Sequence, residues 1–119
     1  MKIHGKEIGF ALTIGASVEI AKMCPNGDIR KIGELLDGND YTKTVEVSTK
    51  LIKLMNDGFC GIERINGRTA EPLTEEEILL FTPKELHDVT AEVMKTFVGD
   101  THGEVETELK NVDEGAQSS

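Results

Sequence analysis

Cysteine and histidine are the residues of this 119-residue chain best suited to nucleophilic, redox or metal chemistry. There are two of the first and three of the second. A reactive thiolate is favoured at a helix N-terminus or beside a cation. Cys24 falls instead at the end of a helical segment, just before Pro25, where the helix dipole has the opposite sign. Cys60 stands alone between Phe59 and Gly61. Both thiols read as small buried hydrophobes in a reduced protein, since neither belongs to a dense disulfide pattern. His4 is near a turn, His87 is on the last helix and His102 is in the C-terminal tail. No short ligand spacing links them to other metal-binding side chains, so no metal is expected. His87 and Asp88 are adjacent, and helix neighbours at i and i+1 point apart. A solvated histidine is the expectation, not a carboxylate-oriented base.

The glycines and carboxylates are equally plain. Twelve glycines form neither GxGxxG nor GxxxxGK[ST], so no phosphate cradle is indicated. Asp37-Gly38-Asn39-Asp40 lacks the twelve-residue spacing and closing Glu of a calcium loop. Glu75-Glu76-Glu77 reads as first-turn charge that favours a helix dipole. The chain is therefore expected to be neither an enzyme nor a cofactor carrier. With 22 acidic and 13 basic side chains its net charge is −9. Nucleic acid and anionic membrane surfaces are unfavourable partners at that charge. The longest apolar run, Ile78-Leu79-Leu80-Phe81, is far short of the ~20 residues a membrane helix needs. The first residues carry no signal-peptide apolar segment. A cytoplasmic protein is expected.

The elements that position these residues follow from periodicity. A hairpin is expected around Gly5, with a second strand over 7–14. There Ile8, Phe10, Leu12 and Ile14 alternate with Gly9, Ala11 and Thr13, and Gly15 ends the strand. Gly9 and Ala11 leave room for a close neighbour. A helix from Ala16 buries Ser17, Ile20, Ala21 and Cys24 on one face, and Pro25-Asn26-Gly27-Asp28 is a turn. Asp28 caps a second short helix carrying Ile29, Ile32, Leu35 and Leu36. A third helix is expected over 41–57, with a bend at Gly58 and Gly61 and a weak strand at 62–65. Thr74 with Glu77, and Thr82 with Pro83 and Glu85, are two capping-box starts. The last helix spans 83–98 and ends at Gly99. Residues 100–119 hold too little apolar surface to repay their ordering.

The fold expected is α+β and mainly helical: a short N-terminal β-hairpin packed on four or five helices, with a disordered acidic C-terminal tail. One folded domain covers 1–99 and the tail 100–119. The core should include Phe10, Leu12, Ile14, Ile20, Ile32, Leu35, Leu51, Ile52, Met55, Leu86, Val89, Val93 and Phe97. Surface for partners is the remaining source of function. Four large apolar groups in the single turn 78–81 cannot share one helical face. Either that helix is sandwiched on both sides, or Leu79, Leu80 and Phe81 form a contact patch. Val47 and Leu54 lie off the main apolar face of the third helix. They meet either another helix of the same chain or a second subunit, as in a homo-oligomer.

The opening of the chain resembles a known family. Met1-Lys2-Ile3-His4-Gly5-Lys6-Glu7 leads into Phe10-Ala11-Leu12-Thr13-Ile14. A helix over 16–24 follows, with Glu19-Ile20-Ala21 at its middle, and then Cys24-Pro25-Asn26-Gly27-Asp28. This order is similar to the start of the small tail assembly chaperones of long-tailed bacteriophages and prophages. The resemblance covers the first 60 residues and the general helical, acidic build of the rest. It implies a non-enzymatic chaperone that binds the hydrophobic tape measure protein before tail tube polymerisation, with the tail tube protein as a further partner. Many proteins of that family are also made as a longer form by ribosomal frameshifting near the end of the reading frame. Two other classes fit the same residues: a small phage structural or connector protein, and a helical adaptor or inhibitor whose acidic surface binds a basic protein.

Overall fold

A computed structural model describes residues 1–101. The expected tail lies outside the described residues from His102 on, with Val105, Leu109 and Val112; Asp100 and Thr101, which the sequence assigned to it, instead end and cap the last helix. Two short strands, β1 (Lys2–Ile3) and β2 (Lys6–Glu7), pair antiparallel with Lys2 opposite Glu7 and Ile3 opposite Lys6. His4 and Gly5 turn the hairpin with φ of 50° and 79°. Positive φ at both central residues matches the right-handed twist of the flanking strands. Helices follow in the order α1 (Ile14–Met23), α2 (Ile32–Leu36), α3 (Tyr41–Ile65), α4 (Glu75–Leu79) and α5 (Pro83–Asp100). Two 3-10 turns, Pro25–Gly27 and Ile29–Lys31, join α1 to α2. The fold is mainly helical with a small N-terminal hairpin, as the sequence implied.

α3 is the axis of the molecule, and α1, α2, α4 and α5 all pack against it. Leu51, Ile52 and Met55 of α3 meet Ile20, Ile32, Val89, Val93 and Phe97 in a core closed to solvent. Phe10, Leu12, Leu35 and Leu86 pack at its edge, partly buried. Ile8, Ala16, Leu73 and Ile78 also belong to the interior.

The second hairpin strand is shorter than its alternation implied. Regular pairing stops at Glu7, with two further bonds between Met1 and Ile8: the Ile8 amide donates to the Met1 carbonyl at 2.7 Å and the Met1 amino group to the Ile8 carbonyl at 2.9 Å. Residues 9–13 instead form an extended strap across α3 and α5, because their backbone groups find partners there. The Gly9 carbonyl accepts from Asn56 Nδ2 at 3.0 Å, the Ala11 amide donates to the Met55 carbonyl at 3.0 Å, and the Leu12 amide donates to Asp100 Oδ2 at 3.0 Å. Thr13 then caps α1, its hydroxyl accepting from the Ala16 amide at 3.1 Å. Ile14 is thereby the first helical residue and is 82% exposed, where the sequence placed it in the core. Gly15 lies inside α1 and ends no strand.

α3 is also longer than expected. It runs through Gly58 and Gly61 without a break and takes in 62–65, which form no strand. Glycine in a helix interior costs up to ~1 kcal/mol relative to alanine, and at Gly58 close approach explains it. A Cβ there would stand 2.9 Å from the Ala11 carbonyl oxygen and 3.0 Å from Thr13 Cγ2. At the same crossing a Cβ on Gly9 would come within 2.5 Å of the Phe59 ring, so the room foreseen at Gly9 is filled by that ring. Asn66-Gly67 ends the helix, with Gly67 at φ 80°. α5 passes Gly99 and closes at Asp100.

Candidate functional site

Both cysteines are free and buried. Cys24 Sγ donates to the Ile20 carbonyl at 3.3 Å, and burial raises its pKa, helped by the negative charges of Asp28 and Glu34. Burial likewise raises that of Cys60. Neither thiol is activated as a nucleophile in this setting. Among the described residues, no three or more His, Cys, Asp or Glu side chains converge as a metal site, and no helix is long and apolar enough to cross a membrane. His87 is exposed at the rim of a groove beside Tyr41.

The feature that stands out is the junction of α4 and α5. Two capping boxes follow each other within twelve residues of sequence, 74 to 85. Thr74 Oγ1 accepts from the Glu77 amide at 3.1 Å while Glu77 Oε1 accepts from the Thr74 amide at 2.9 Å. Thr82 and Glu85 repeat the arrangement at 3.2 and 2.9 Å. Each box satisfies two amides that a helix start leaves unpaired. Both glutamates use their second oxygen to hold the hairpin. Lys6 Nζ donates to Glu77 Oε2 at 3.1 Å, and His4 Nε2 lies 2.9 Å from Glu85 Oε2. The Thr74 amide, then Lys6, hold the Glu77 carboxyl below its usual pKa; the Thr82 amide, then His4, do so for Glu85. His4 also meets Phe81 edge-on, with ring centroids 6.0 Å apart.

This scaffold divides the run 78–81 between inside and outside. Ile78 is buried and Phe81 packs half-buried against the core, whereas Leu79 is 64% and Leu80 76% exposed. The helix is therefore not sandwiched on both sides: one side of the turn packs inward and the other faces solvent. Of the other two residues singled out, Val47 is buried in the core at 6% exposure and Leu54 is half-buried against it. Val47 therefore packs within its own chain. The apolar arc of α3 is wider than one face because helices pack on several of its sides.

Grooves flank the exposed pair. One of about 230 Å³ lies between the hairpin and α4, lined by Ile3, Ile8, Leu73, Leu80 and Phe81. On the α3 side, a cavity of about 140 Å³ opens beside Leu79, Tyr41 and Leu86. It adjoins one of about 220 Å³ between Tyr41, Val45 and Leu86. Tyr41, 68% exposed, belongs to both and was not singled out from the sequence. Its position at the first turn of an amphipathic helix, off the core face, was the available signal. Ile62 and Ile65 were hidden by the early end assigned to that helix; they are 41% and 87% exposed. No protein-family model, curated protein or solved structure matches the chain.

Proposed function

We propose that the chain is a non-enzymatic tail assembly chaperone of a long-tailed bacteriophage or prophage. It acts in the host cytoplasm, holding the tape measure protein soluble until the tail tube polymerises around it. The observation that carries this reading is the exposure of Leu79 and Leu80 on a turn that two capping boxes and two hairpin contacts hold in place. Burying a large aliphatic side chain contributes about 1.5–3 kcal/mol. A client that covers both leucines and fills the grooves beside them thus gains enough for useful, reversible affinity. The acidic surface supports the same reading, because net charge keeps a loaded complex from self-association. The order of hairpin, first helix and Cys24-to-Asp28 turn adds the family resemblance.

Co-expression tests it. The chain should keep a long, helical, apolar-rich tape measure protein in the soluble fraction and co-purify with it. A client whose solubility is unchanged, and which never associates, ends the proposal. A second reading, self-association, is favoured by one observation. Ile14 and Ile65 are 82% and 87% exposed, and the Thr13–Gly58 contact places the start of α1 near the last turns of α3. Sedimentation velocity across a hundredfold concentration range decides it, since only an oligomer shifts with concentration.

A further inference from the structure

The surface around Leu79 and Leu80 carries a charge pattern as well as an apolar one. Glu75 stands four residues before Leu79, and Glu76 four before Leu80. At that spacing each carboxylate lies one helical turn behind an exposed leucine. Both glutamates are exposed, and neither has an ion-pair partner among the described residues. Nearby cations are already engaged, Lys6 with Glu77 at 3.1 Å and Lys84 with Asp88 at 2.9 Å. The uncompensated charge beside the exposed leucines is therefore negative.

The cavity on the α3 side adds an independent observation. Thr49 lies in its wall, only 7% exposed, and its hydroxyl has no hydrogen-bond partner. The Thr90 hydroxyl is buried without a partner in the adjoining groove. A hydroxyl left unpaired in an apolar wall is costly. What this cavity can bury is the apolar body of an incoming side chain, since Tyr41, Val45, Ile78 and Leu86 line it. The grooves on the α3 side run between helices, and among the described residues no long sheet edge offers strand addition, so a helix is the shape that fits.

Resting on the assignment of Leu79 and Leu80 to client binding, we infer that this surface takes an amphipathic helix whose apolar stripe is flanked by lysine or arginine. A large apolar side chain enters the cavity beside Tyr41, and basic side chains face Glu75 and Glu76.

Two ~20-residue synthetic helices test this, long enough to be helical in isolation. They share one Leu/Met stripe, and the flanks are Lys in one and Glu in the other. Fluorescence anisotropy with the full chain should show the Lys helix binding roughly tenfold tighter or better at low salt. The gap should close near ~0.5 M salt, where surface charges are screened. The Glu75→Lys/Glu76→Lys chain should reverse the preference, and Leu79→Ser/Leu80→Ser should bind neither helix. All four positions are exposed, so each variant should stay folded; the leucine variant should keep the wild-type melting curve, and the charge-reversed one should melt slightly lower because lysine opposes the α4 dipole. Equal binding of the two helices by the wild-type chain, or an unchanged preference in the charge-reversed one, overturns the inference. If the tape measure protein is still held soluble in that case, only the charge rule falls. If the Lys helix binds with the expected reversal but the tape measure protein never associates, the client reading falls and the basic-helix site stands.

Discussion

The strap crossing over α3 and the α4–α5 junction are built to similar polar standards and opposite apolar ones. At the crossing, Asn56 is 2% exposed and both its polar atoms are engaged: its Nδ2 donates to the Gly9 carbonyl at 3.0 Å, and its Oδ1 accepts from the Leu73 amide at 2.8 Å. One side chain thus ties the strap and the loop before α4 to the central helix, and the apolar residues around it point inward. At the junction, Glu77 and Glu85 are engaged in the same way, each binding one cap amide and one hairpin side chain. Yet there two leucines point outward. Exposure at the junction is therefore not looseness. The turn is fixed by hydrogen bonds that do not need the leucines, which leaves them free for another molecule.

The contrast can be broken most severely at Asn56. Asn56→Leu strands the Gly9 carbonyl and the Leu73 amide in the interior, and should cost about 2–4 kcal/mol by urea unfolding. A loss under about 1 kcal/mol would mean that the strap and the loop are held elsewhere. Gly58→Ala is the next test. Helix propensity alone favours alanine by up to ~1 kcal/mol, but its Cβ would press on the Ala11 carbonyl and Thr13. We expect a net loss of about 1–2 kcal/mol; a gain would show that the strap shifts freely.

The junction should respond to acid. The carboxyls of Glu77 and Glu85 are lowered from 4.5 in the folded protein. Their contribution is present in full above the unfolded carboxyl value and disappears as pH falls through the lower folded one. The melting temperature should drop as pH is taken from about 6 towards 3. Glu77→Gln/Glu85→Gln should drop less steeply, because glutamine retains the cap but has no charge to lose. Asp28 and Glu63, lowered chiefly by hydrogen bonds from Arg30 and Arg68, keep some slope in that variant. Identical slopes would mean that these two glutamates contribute nothing to acid sensitivity. The smallest effect on stability is expected from Leu79→Ser/Leu80→Ser, within about 0.5 kcal/mol of wild type. Client solubilisation should be lost in the same protein. A large loss of stability would place the leucines in the fold instead of on the client surface.

Local chemistry decided what the sequence alone determined. The capping boxes at Thr74 and Thr82 are visible because a cap is complete within four residues. The i, i+3, i+7 rhythm of Leu86, Val89, Val93 and Phe97 is visible because one helix face repeats it, and all four are buried or packed at the core edge. Asp28 shows the same locality, capping the turn Ile29–Lys31 through the Arg30 amide. Tertiary structure decided everything that depends on a neighbour far along the chain. Gly58 and Gly61 read as a stop, and only the strap pressed against Gly58 explains a glycine inside a continuous helix. Alternation over 8–14 read as a strand, but the backbone partners of 9–12 lie on α3 and α5, at positions 55, 56 and 100. Val47 and Leu79 are both apolar residues off a predicted face, and their sequences do not separate them. Packing on several sides of α3 buries the first, while a turn satisfied by its own caps and the hairpin leaves the second in water.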